Sequence, residues 1–167
     1  MSVTSSLASA GVHRDLRTPA QFTEELKLKF PELNALEEDE AILYLLLLEE
    51  DGPPHPRGPL RKIGYSAVDP FKRINQIRSE VPFVMTVLAI WTFPVAKTLN
   101  CEDIVKAAIK KNGWQVNGRA NEFFRTNDGD AAVIKKVRAL IRGGRNRGGR
   151  KRGGYYGNQW GEGQGGF

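Results

Sequence analysis

Two apolar runs dominate what this chain can fold into: AILYLLLL (Ala41–Leu48) and FVMTVLAIWTF (Phe83–Phe93). Both are well short of the ~20 residues needed to cross a bilayer. Each must therefore be buried inside the protein, and each is expected as a core helix. On a helix, Leu43, Leu46 and Leu47 share one side, but Leu45 and Leu48 leave hardly any polar face. A helix apolar all round is buried centrally or shared with a partner. Pro94 ends or bends the second run. With 167 residues and 40% hydrophobic content, one core in one domain is the expectation.

The segments around these runs carry helix punctuation. Thr18-Pro19-Ala20-Gln21 is a capping box with proline first, and Phe22, Leu26 and Phe30 follow at four-residue spacing until Pro31. Asn34–Glu37 is a second capping signal, leading into the acidic turn Glu37–Glu40 and the leucine run. Asp51–Pro59 (DGPPHPRGP) reads as a proline-rich hinge and Leu60–Val68 as an extended arm. Asp69-Pro70 opens a helix with Phe71, Ile74 and Ile77 inward and Lys72, Arg73 and Arg78 outward. Asn100 caps a helix over Cys101–Asn112, with Ile104, Val105, Ala108 and Ile109 as its stripe and Asn112-Gly113 as its stop. Asn117-Gly118 supports a small hairpin around Trp114–Val116. Asn127–Asp130 caps a final helix, Ala131–Ile141, with Val133, Val137, Leu140 and Ile141 inward. No series of alternating strands appears. The expected class is all-α: a bundle of five to six helices over residues 18–141, a disordered arm over 1–17 and a disordered tail over 142–167.

Charge is distributed unevenly along the chain. Residues 1–60 carry 5 Lys+Arg against 11 Asp+Glu, residues 61–141 carry 14 against 7, and residues 142–167 carry 6 against 1. Such polarity points to a polyanionic partner for the basic part, or to copies meeting acidic face to basic face. The tail is the extreme case. Gly supplies 11 of its 26 residues, and no aliphatic side chain follows Ile141 to offset the entropy of ordering them. Arginine forks onto phosphate and stacks on bases, and aromatic rings add further stacking faces. The candidate nucleic-acid-binding residues are Arg142, Arg145, Arg147, Arg150, Lys151, Arg152, Tyr155, Tyr156 and Trp160. Lys106, Lys110 and Lys111 on one helix, with Lys135, Lys136 and Arg138 on another, extend them as a basic floor, to which Arg119 and Arg125 beside Phe123-Phe124 would add. Trp91 and Trp114 are expected in the core.

The triplets Arg142-Gly143-Gly144, Arg147-Gly148-Gly149 and Arg152-Gly153-Gly154, followed by Tyr155-Tyr156-Gly157, resemble an RGG box. That motif belongs to RNA-binding proteins of the nucleolus and of messenger-RNA particles, and to several viral nucleocapsid proteins. The resemblance covers 26 of 167 residues. It implies RNA contact without sequence reading, arginine methylation and a tendency to condense.

Catalysis has little support in the residues. His13 and His55 lie outside any nucleophile or metal constellation, and two histidines with one cysteine cannot fill a typical zinc site. Cys101 reads as a small residue packed at a helix start, and Asn127–Asp130 as a cap, since Ala139 stands where a calcium loop needs Glu. The expectation is a non-enzymatic structural protein that packages single-stranded RNA and self-assembles, of nucleocapsid or coat type. The alternatives are a cellular RGG-box chaperone or ribonucleoprotein component, and a viral accessory factor. No cofactor, metal, small-molecule substrate or membrane span is expected. The expected location is the virion or host cytoplasm if viral, otherwise cytoplasm or nucleus; the N-terminus lacks the apolar segment of a secretory signal.

Overall fold

A computed structural model describes residues 15–116 and 122–155, and within them the side chains of all but Leu99 and residues 144–155. The elements are α1 (Pro19–Lys29), a 3-10 turn (Pro31–Ala35), β1 (Glu40–Glu49), β2 (Leu60–Ser66), α2 (Pro70–Glu80), β3 (Val84–Pro94), α3 (Val95–Lys111), β4 (Phe123–Arg125) and α4 (Asp130–Tyr155). The all-α expectation is overturned. The described residues are mixed α/β, with four strands in one antiparallel sheet of order β3-β1-β2-β4.

Both apolar runs are strands. Ile42, Tyr44, Leu46 and Leu48 of β1 join one buried cluster, with Phe22 and Leu26 of α1 and Ile74 and Ile77 of α2. Leu43 and Leu45 join the other, with Val105 and Ile109 of α3 and Val133, Val137 and Ile141 of α4. Helices thus cover both faces of the sheet. A central strand covered on both faces shows a continuous apolar run, not an alternating one, and periodicity cannot separate it from a buried helix. Burying each large side chain is worth about 1.5–3 kcal/mol. Tertiary burial therefore overrides the helical preference of a leucine-rich sequence. It also leaves the leucine run no free face for a partner.

β3 pairs with β1 along its whole length, with a register break between Leu45 and Leu46. Val87 faces the α1/α2 cluster, Leu88 and Ala89 both face the α3/α4 cluster, and Ile90 returns to the first. The extra residue keeps both halves of the strand in contact with their own layer. β3 is also an edge strand, and its outer carbonyls are capped by side chains: Arg17 Nη2 donates to Met85 O at 3.1 Å and Lys29 Nζ to Val87 O at 2.6 Å. Cations on an edge discourage pairing with another chain.

The helix signals flanking the runs are realised in part. Thr18 and Gln21 form a reciprocal capping box, and Asp69 accepts from the backbone N–H of Phe71 and Lys72. Asn34–Glu37 opens no helix; the chain makes a 3-10 turn and enters β1 directly. α3 starts at Val95, where Pro94 ends the strand, and not at Cys101. Instead of a hairpin strand at Trp114–Val116 there is a single bridge from Gln115 to Phe124, beside the three-residue β4. The turn at Asn117-Gly118 lies outside the described residues.

Candidate nucleic-acid interface

α4 owes its position to its first turn. Asp130 accepts two bonds from Arg61, whose guanidinium also donates to the carbonyls of Thr126 and Asp128. Arg61 itself is buried inside β2. From there Val133, Val137 and Ile141, at four-residue spacing, lay the helix against α3 and the sheet. At 100° per residue, Lys135, Arg138 and Arg142 (i, i+3, i+7) fall on one stripe outside that apolar face, with Arg138 on its β3 side, and all three are exposed. No ion pair between described residues engages any of them.

Lys136 stands off this stripe. Its ammonium pairs with Asp128 at 2.5 Å and lies 5.1 Å over the Trp114 ring, which in turn stacks on Phe124. Lys110 and Lys111 are exposed in the last turn of α3, whereas Lys106 pairs with Glu102 at 3.0 Å one turn earlier. Both helices lie on the same side of the sheet, and an apolar groove of about 520 Å³ between them has Lys136 in its lining but neither Lys110 nor Lys111. Ile104, Ala108, Trp114 and Leu140 are among the residues lining it.

On the opposite flank of α4, Arg138 and Arg142 line a smaller cleft of about 300 Å³ at the outer edge of β3, together with Glu32, Trp91 and Thr92. Trp91 and Trp114, expected in the core, are each half-buried, and each lines a cleft or groove. A tryptophan in an apolar run looks the same whether its ring is fully covered or open at one edge, so the sequence carries no signal for this.

The remaining candidates fall into three groups. Arg125 cannot extend a basic patch: it is 8% exposed, bonded to Glu50 at 2.7 Å and to the Gly58 carbonyl at 3.1 Å. Arg145, Arg147, Arg150, Lys151, Arg152 and Tyr155 stand on the helical backbone of α4, which runs past Ile141 to Tyr155, with side chains outside the described set. Tyr156, Trp160 and Arg119 lie outside the described residues altogether.

Other polar groups are held in structural roles. Lys62 is 4% exposed, pairs with Glu122 at 2.5 Å and sits 4.6 Å over Phe123. Burial pushes its ammonium below the usual lysine range, and Glu122 works against that. His55 Nδ1 accepts from the Arg57 backbone N–H, and Cys101 is buried in the α3/α4 cluster. Asp128 and Asp130 each face a cation, as residues of a helix start. Among the described residues no group of three or more metal-ligating side chains forms, and no helix is long and apolar enough to cross a membrane. No known protein family, curated protein or solved structure matches the chain.

Proposed function

We propose that this protein binds single-stranded RNA, largely without reading its sequence, and packages it by assembling on it with other copies. The observation carrying this reading is the exposed stripe Lys135–Arg138–Arg142, on a helix whose backbone leads directly into the arginine–glycine segment. The stripe is the rigid start of a cationic track, fixed to the sheet through Arg61 and Asp130. The segment beyond it adds Arg145, Arg147, Arg150, Lys151 and Arg152 with four aromatic rings. Guanidinium groups neutralise phosphates and stack on bases, and rings stack on any base, so these contacts are made with little regard to sequence. The polarity from acidic first third to basic end supplies the attraction between copies.

The test is a titration of fluorescently labelled oligouridine with the full chain at several salt concentrations, followed by sedimentation with and without long RNA. Tight, steeply salt-dependent binding and large RNA-dependent assemblies are expected. A protein that ignores oligonucleotides in dilute buffer refutes the binding. One that binds yet stays monomeric on long RNA refutes the packaging and favours a chaperone-type role.

A further inference from the structure

Resting on the reading of α4 as a polynucleotide track, we propose that the cleft between α4 and the β3 edge is a nucleotide subsite that prefers guanine. The cleft opens where the cover over the edge strand stops, beyond the carbonyls capped by Arg17 and Lys29. Glu32 lines it with Arg138 and Arg142, and Trp91 and Thr92 come from β3. The opposite charges share one cleft of about 300 Å³, yet no ion pair between described residues joins Glu32 to either arginine. A carboxylate and two guanidiniums held apart across a gap match a ligand that is anionic at one end and carries hydrogen-bond donors at the other.

A nucleotide has that form, and the base decides how well the donor end fits. Guanine presents N1–H and N2–H side by side, so one carboxylate accepts both. Adenine and cytosine place a ring-nitrogen acceptor beside their amino group, which repels a carboxylate. Uracil places its single N–H between two carbonyls. With its phosphate on Arg138 and Arg142, a guanosine nucleotide places its base toward Glu32, where the half-buried Trp91 offers an aromatic surface. The preference is modest, because Glu32 is exposed and water competes for its oxygens.

The test uses the full chain and nine-nucleotide oligouridines with G, inosine, A or C at the central position. The G-containing strand is expected to bind about five-fold tighter than the A, C and all-U strands, the low end for a bidentate base contact. Inosine, lacking the N2 amino group, is expected between them. Glu32→Gln is expected to remove the preference while leaving oligouridine affinity equal or slightly raised. Arg138→Ala is expected to weaken all strands alike. Equal binding of all four bases, or a guanine preference that survives Glu32→Gln, overturns the subsite and leaves the RNA-binding reading intact. Failure of every strand to bind overturns both.

Discussion

Arg61 and Asp130 are 69 positions apart in sequence and joined by two hydrogen bonds, at 2.6 and 3.1 Å. The pair ties the interior of β2 to the first turn of α4, so the basic helix leaves the sheet at a fixed point. Arg61 is 2% exposed, and its remaining N–H groups satisfy the carbonyls of Thr126 and Asp128. Arg61→Met keeps the length and apolar stem but orphans three acceptors. Removing one partner of a fully buried pair costs about 3–5 kcal/mol. Asp130 is 43% exposed and recovers part of that from water, so a loss of about 2–3 kcal/mol is expected. Urea denaturation measures it, with faster amide exchange at residues 131–134 than in the wild type. A loss below about 0.5 kcal/mol would show that the pair does not hold the helix.

Acid should loosen the start of α1. Asp15 pairs with Arg17 and Arg78, and its carboxyl is pulled down to about 2. The hydrogen bond from Arg17 is the main cause, opposed by burial. Because the folded pKa lies below the ordinary 3.8, the ionised form stabilises the folded state. That contribution is complete above about pH 4 and disappears as pH falls towards 2. Arg17 is 30% exposed, so the screened contribution is about 1 kcal/mol. Asp15→Asn should lower stability at pH 7 by that amount and flatten the stability profile between pH 4 and 2. An unchanged acid slope in the variant would place the effect elsewhere.

Gly64 faces Tyr44 across the β1–β2 ladder, and a Cβ there would stand 2.5 Å from the Tyr44 hydroxyl oxygen and 2.6 Å from Cζ. Tyr44 is 1% exposed between the sheet and the α1/α2 layer, so the ring has nowhere to move. Gly64→Ala should cost about 1–3 kcal/mol. Tyr44→Leu removes the offending atoms, so the double variant should be more stable than the two single losses added together. Additive losses in a double-mutant cycle would mean that the ring does yield.

The same residues show how much of the fold was legible. The termini of helices were readable wherever local chemistry decides them: Thr18 and Gln21, Asp69-Pro70, and the stop at Asn112 act within four residues of themselves. The sheet was not, because a strand's identity depends on what lies above and below it. Leu43 and Tyr44 point to opposite helical layers, and nothing within the run records that. β4 is three residues long and leaves no periodicity to read. For the candidate site, the cations of α4 were legible from their spacing opposite Val133 and Val137. The burial of Arg125 was not, since its partner Glu50 is 75 positions away. Nor was the cleft beside Trp91, which joins Glu32 to residues of α4 more than a hundred positions later.

The distinction between stripe and flank on α4 gives the last test. Lys135 and Arg138 carry charges that no described acidic side chain pairs with, whereas Lys136 already faces Asp128 and the Trp114 ring. For single strands, each phosphate contact adds about 0.7 to the slope of log K against log salt. Lys135→Ala with Arg138→Ala should therefore lower that slope by about 1.4 and weaken binding of every oligonucleotide, with little change in stability. Lys136→Ala should lower it by clearly less, because Asp128 already neutralises part of its charge. Its effect should instead fall on stability, by about 0.5–1 kcal/mol from the lost cation–π contact and ion pair. Removing residues 142–167 takes away six further cations and should reduce the slope most of all. Anisotropy titrations at four salt concentrations, paired with urea denaturation of each variant, separate these outcomes. Equal slopes for the Lys135/Arg138 and Lys136 variants would mean that the exposed stripe has no special part in the contact.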